Sequence, residues 1–431
     1  MNLKKINIIY SGILVSMLIG EMALMSVFNF YVIRFLQFLI FLNLFQLGFK
    51  ALDKSVLFFL VPSVIFVLHA MFHFDEMTIL GDFFNLIWWF IFVLILNSAI
   101  RSQSDFEKFK SIVLMSTFIF TTAAAILGLL KIYCMSNGIM LSYFEIVSPD
   151  GSREISYGSS LNIDYNVFTI SLYCGLFAGL YCYKRATNVK LKIVHTVALL
   201  LILAAGLMSG SRRGFVIGIF LIFYIIFWSF KAESYSLKLN AFNKKKQAFL
   251  KKPWIAFVFL LVFFISLGRL DVDSIIESSS EITSVLDRLL TLEDLSSQEN
   301  DTRSNRWVYA FEFFSEMPSL SKLFGDGFDY MRMFGYKFDV GYSDHPHNVW
   351  ISSLLYGGIL GFISTIFLTV YVFIFLKKRK HIFKELFVWY ILFLLLNFTS
   401  SNTIYSTRIF VVIMLLPFLS FCRVKSISLS V

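Results

Sequence analysis

The chain has 431 residues, 58% of them hydrophobic and 52 of them Phe, with a formal charge of +10. At a mean hydropathy of +0.75, a soluble fold of this length has no interior large enough for its apolar surface, so the bilayer must be its solvent. The positive charge is interleaved with apolar runs, which reads as membrane topology and contact with anionic lipid rather than as a nucleic-acid footprint.

A membrane span needs about 20 mostly apolar residues. Twelve stretches qualify: 7–26, 30–48, 55–72, 79–99, 111–133, 166–183, 192–209, 214–230, 254–269, 347–376, 386–400 and 407–421. The alternation of a membrane barrel is absent, so the expectation is an all-α polytopic protein, one integral membrane domain over 1–431. The N-terminus, "MNLKKINIIYSGILVSMLIG", has a basic start and a long apolar run. No small-residue cleavage site follows, so it reads as an uncleaved first span. The four cysteines, Cys134, Cys174, Cys182 and Cys422, are scattered and contain no C-x-x-C, which argues against a disulfide framework or a zinc site.

Basic residues set the orientation. With the N-terminus inside, 21 of 24 lysines fall in cytoplasmic segments, and both termini are cytoplasmic. Arginine behaves differently: of 14, only Arg101, Arg185, Arg379 and Arg423 are cytoplasmic. Arginine offers a planar fork for phosphate or carboxylate, which lysine lacks, so the asymmetry points to an external anionic ligand. Snorkelling at a helix end explains any single arginine equally well.

This topology places "SGSRRG", with Arg212 and Arg213, in an external turn between the seventh and eighth spans. It also gives two external loops, about 135–165 and about 271–346. The larger holds 15 Asp/Glu against 6 Lys/Arg and is too long for a mere connector. Inside it, "TRSNRWVYAFEFFSEM" has helical periodicity, with Trp307, Ala310, Phe311 and Phe314 on one face and Arg303 four residues before Trp307. Such a helix suits the membrane surface. Gly325 and Gly327 then break it. The loop ends in "YSDHPHNVWISSLLYGGILGF", which sets His345 and His347 at the outer mouth of the tenth span, where Gly358 and Gly361 allow close helix approach.

Asp271 and Asp273 form an Asp-x-Asp that could hold a divalent metal, although such a pair arises easily in an acidic loop; no metal is expected. His69, His195 and His381 lie on spans or cytoplasmic segments and read as structural. Glu21, Arg34 and Arg408 are charges within spans and so functional candidates by default.

Three patterns together resemble the O-antigen polymerase and O-antigen ligase family of bacterial envelopes. One is Ser211-Arg212 opening the eighth span. Another is Arg303, Trp307, Pro318, Gly325 and Gly327. The third is His347-Asn348, nine residues, then Gly358 and Gly361. Asn166, opening the sixth span, is a fainter match. The resemblance implies a GT-C-like glycosyltransferase of the bacterial inner membrane, with its active site on the periplasmic face. Its donor would be an undecaprenyl-pyrophosphate-linked oligosaccharide, used without metal, cofactor or nucleotide sugar, and a chain-length regulator is a possible protein partner.

The residues make chemical sense of this. Arg212 and Arg303, with Arg213 and Arg306 beside them, can hold the pyrophosphate and neutralise charge as it departs. His347 can act as base or orienter for the acceptor hydroxyl, with His345 and Asn348 adjacent. The preferred reading is polymerisation of lipid-linked repeat units into O-antigen or a related surface polysaccharide. The second is O-antigen ligation onto lipid A-core, which uses the same donor. A lipid-oligosaccharide flippase or other transporter would also suit twelve spans. Internal repeats and mid-membrane breaks, common in transporters, are not found.

Overall fold

The computed structural model describes residues 3–20, 26–49, 91–136, 145–147, 153–155, 165–209, 302–327, 329–337 and 345–378, with isolated positions 218, 390, 391 and 394. In chain order these give α1 (Leu3–Gly20), α2 (Ser26–Leu47), α3 (91–99), α4 (Gln103–Ser136), β1 (Glu145–Val147) and β2 (Arg153–Ile155). Then follow α5 (Tyr165–Arg185), α6 (Val189–Leu207), α7 (Thr302–Glu316), α8 (Ser319–Phe324), α9 (Asp329–Lys337) and α10 (Val349–Lys378). The expected spans at 55–72, 214–230, 254–269, 386–400 and 407–421 lie outside the described residues, apart from isolated positions.

Three described stretches are long and apolar enough to cross a membrane: Ser104–Cys134, Val189–Leu207 and Val349–Lys377. The side chains of α6 agree with that environment. Ile193, Val194, Val197 and Leu200 are exposed, which lipid tolerates and water does not. The described elements are helical as expected, with one small hairpin in addition. β1 and β2 pair antiparallel, Glu145 opposite Ile155 and Val147 opposite Arg153, within the loop at 135–165. Three-residue strands are too short to show a period-2 pattern, so the sequence carried no sign of them.

The bundle of α1, α4, α5 and α6 closes through small residues. A Cβ at Gly175 of α5 would collide with Thr121 of α4, and one at Gly179 would collide with Phe118. Close backbone approach of this kind is how helices associate where lipid removes the hydrophobic drive. At the other end of α4, Lys4 of α1 pairs with Asp105 at 3.0 Å, and Ser102 Oγ accepts from Asp105 N at 3.2 Å as a helix cap.

Helices α7, α8 and α9 form a small cap on the first half of α10. Its core is Ala310, Phe313, Met317, Tyr330, Phe334, Leu355 and Tyr356. Phe334 meets Tyr309 and Phe313 edge to face, with centroids 5.8 and 6.4 Å apart, an arrangement aromatic quadrupoles favour. Meanwhile Val349, Leu368, Val372 and Leu376 of the same α10 belong to the main core. One helix therefore joins the bundle to the cap.

The joint has a specific construction. Gly358 leaves the helical region at φ 60° and ψ −161°, a conformation open to glycine alone. Carbonyls before such a break lose their helical donors. Here Asp326 N donates to Leu355 O at 3.1 Å, and Gly327 N donates to Tyr356 O at 3.0 Å. The loop "FGDGF" supplies those donors because Gly325, at φ +81°, lets its backbone lie against Tyr356, where any Cβ would overlap the carbonyl. On Gly358, a Cβ would overlap the backbone of Leu323 and Phe324. Gly358 thus allows the close helix approach expected of it, here by α8, and in addition breaks α10 so that a loop can complete the hydrogen bonding.

A Gly358→Ala substitution should therefore cost at least the roughly 1–3 kcal/mol of a forbidden backbone conformation, plus the collision. The expected result is a lowered thermal unfolding midpoint for the detergent-purified protein. An unchanged midpoint would contradict the splice.

Candidate functional site

The sequence from His345 to Asn348 forms the approach to α10, and each residue has a defined part in it. Pro346 has no N–H and a fixed φ. His347 follows at φ 54°, a left-handed conformation uncommon outside glycine. Asn348, only 2% exposed, starts the helix: its Oδ1 accepts from Trp350 N at 3.0 Å and Ile351 N at 3.2 Å, satisfying donors that the first turn leaves free. The chain is thus forced through a tight reversal at His347 directly before a capped helix. The two imidazoles are brought together, with centroids 4.2 Å apart and planes tilted by 56°.

This segment is anchored from α7. Trp307 donates its Nε1–H to Pro346 O at 2.9 Å. Position 303 lies in the first turn of the same helix, one turn before position 307, about 6 Å along the axis at 1.5 Å per residue. Arg306 adjoins Trp307 and is half-buried. Two arginine positions and the tethered histidines are therefore held by a single helix.

The expected face of α7, with Trp307, Ala310, Phe311 and Phe314, is divided. Ala310, Phe313 and Met317 are buried in the cap, whereas Val308 and Phe311 are exposed. Apolar residues so dense along one helix leave two possible faces, and packing against α9 and α10 selects between them.

Elsewhere the register of the bundle matters. Thr121 lies against Gly175, and Phe118 against Gly179, so α4 and α5 run antiparallel. Ten residues on from Thr121 is Lys131; ten before Gly175 is Tyr165. Lys131, 2% exposed, is therefore level with Asn166 in the first turn of α5. At the same end of α5, Thr169 and Ser209 share a hydrogen bond of 2.7 Å. Ser209 precedes Arg212 by three residues. Lys131 drew no notice in the sequence because a lysine near the end of an apolar run reads as a snorkelling side chain.

Arg212, Arg213, Asp271, Asp273 and Arg408 lie outside the described residues, as do Glu21, His69 and His381. Arg34 sits within α2. His195 packs edge to face on Phe118 at 5.4 Å, a structural contact. Among the described residues, no group of three or more His, Cys, Asp or Glu is placed to hold a metal ion.

Apolar spans, a broken helix beneath a helical cap, and paired imidazoles beside arginine positions define an integral membrane protein with a polar site at a helix mouth. Residues 197–366, under half of the chain, match the family model described as O-antigen ligase, and to that extent this part of the chain is similar to that family. No curated protein matches the chain. Arg212, Arg213, Arg303, Arg306, His345, His347 and Asn348 all fall within the matched stretch, and Asn166 and Arg408 fall outside it.

Proposed function

We propose that the chain is a glycosyltransferase that polymerises undecaprenyl-pyrophosphate-linked repeat units into a surface polysaccharide. The observation that carries this reading is the pinned His345–Asn348 segment. Two imidazoles are fixed at the mouth of an apolar helix by an indole from the helix that also bears Arg303 and Arg306.

In this reading Arg212 and Arg303 grip the donor pyrophosphate, and Arg213 and Arg306 add to the positive field. Phosphate recognition by arginine is planar and bidentate, and preorganised charge is most effective where charge develops as the bond breaks. His347 takes the proton from the acceptor hydroxyl as that oxygen attacks the anomeric carbon, and the lipid pyrophosphate leaves with the bonding electrons. A neutral imidazole can serve as base near neutral pH. The arginines provide the positive charge, so no metal is required. The site faces the periplasm, and both chain termini are cytoplasmic.

The family description, O-antigen ligase, favours a second reading in which the same donor is transferred to lipid A-core. Gene deletion followed by gel analysis of surface glycan separates the two. A polymerase deletion leaves a single repeat unit on its acceptor, which is the expected result. A deletion that leaves no repeat unit attached would establish the ligase, and an unchanged ladder would remove both.

A further inference from the structure

The cap encloses a cleft of about 620 Å³, lined by Phe313, Glu316, Met317 and Pro318 on one side and by Asp326, Arg332, Met333, Tyr336 and Lys337 on the other. Its size is within the range of small-molecule sites, about 300–1,000 Å³. Its lining is neither purely apolar nor purely charged. Apolar walls from Phe313, the two methionines and Tyr336 alternate with two carboxylates and two cations. Tyr336 is 86% exposed, a large aromatic surface left open at the rim.

The charged groups are oriented rather than loose. Lys337 pairs with Glu316 and lies over the rings of Tyr309 and Phe313. Arg332 meets Asp329 at 3.2 Å. Asp326 is buried, and its backbone N–H is fixed on Leu355 O by the broken helix. An open aromatic face, that of Tyr336, flanked by positioned carboxylates and cations suits a ligand with both C–H faces and many hydroxyls. Such a ligand is a carbohydrate. A membrane surface would call for an apolar or uniformly basic face, and a nucleic acid would be repelled by Glu316 and Asp326.

The distance to the histidines gives the cleft a use. Phe313 and Glu316 follow Trp307 by six and nine residues on α7, about 9 and 14 Å along its axis. Trp307 holds the histidine segment. On the reading given above, we infer that the cleft is a glycan subsite that binds the polysaccharide a few sugar rings away from the bond being made, through Tyr336 and Asp326.

The test uses the detergent-purified full chain and a defined probe: oligosaccharide of two to three repeat units, released by hydrolysis from the host's own surface polysaccharide. Binding is followed by saturation-transfer NMR and calorimetry. Wild type should bind, and Tyr336→Ala and Asp326→Asn should each bind about tenfold more weakly, the loss expected for one aromatic or charged contact. Tyr336→Phe, which keeps the stacking face, should bind as wild type does. Because Tyr336 is almost fully exposed, its replacement leaves the fold intact.

His347→Ala should also retain binding, which separates this site from the catalytic one. If the gel assay disproved glycan transfer while the probe still bound in the cleft, the proposed function would fall and the carbohydrate site would stand. Equal affinity in Tyr336→Ala and wild type, or no binding by wild type at millimolar probe, would overturn the subsite.

Discussion

His347→Ala should reduce polymer formation by about 100- to 10,000-fold, the usual worth of a positioned general base. The protein should still insert and fold, because the segment keeps its other supports. Trp307 still donates to Pro346 O, and Asn348 still caps α10. Alanine resists the left-handed φ of 54° somewhat more than histidine does, so stability is to be checked alongside activity. His345→Ala is the informative companion. Its ring is 4.2 Å from that of His347, so it shares the local environment without preceding the capping asparagine. Its loss should be milder. The measurement is glycan ladder length in a deletion strain complemented at matched expression. A normal ladder from His347→Ala would end its role as base.

The second large effect is at Arg303. If its guanidinium grips pyrophosphate with two parallel hydrogen bonds, Arg303→Lys keeps the charge and loses the fork. Lysine should then be nearly as damaging as alanine, each costing about 100- to 1,000-fold. A screened point charge would behave otherwise, with lysine restoring most of the activity. Arg212→Lys is expected to follow Arg303→Lys, and Arg213→Ala should be milder than Arg212→Ala. Near-normal ladders from both lysine variants would remove the clamp and leave the fold description untouched.

How far these residues could be read without coordinates depended on whether their signal was local. Apolar runs long enough for lipid are local, and the helices at Gln103–Ser136, Tyr165–Arg185, Val189–Leu207 and Val349–Lys378 lie on expected spans. The helical period of 302–316 was equally plain, but that helix ends at Glu316, ahead of Pro318, and the break expected at Gly325 closes the separate helix α8 instead. What was not legible depended on distant partners. The β1–β2 hairpin is too short to carry a pattern. The buried face of α7 was ambiguous because Tyr309, Phe311, Phe313 and Phe314 crowd one helix, and only α9 and α10 decide which of them are covered. Nothing in "LLYGGILG" foretold that Leu355 and Tyr356 would accept hydrogen bonds from a loop some thirty residues earlier. The glycines were visible, but their partner was not. In the candidate site, the residue types were readable and the tether from Trp307 was not, because an indole donor leaves no periodic trace.

The splice at Gly358 has a mechanical consequence. A helix broken by glycine ordinarily swivels, since free carbonyls place no demand on direction. Here both freed carbonyls are occupied by the cap's own backbone, so any swivel at Gly358 carries the cap along with the first half of the helix. Cap and first half of α10 therefore form one lever. The cleft and the paired imidazoles both ride on that lever. Tilting α10, as a thicker or thinner bilayer would do, carries both together and preserves the spacing between them.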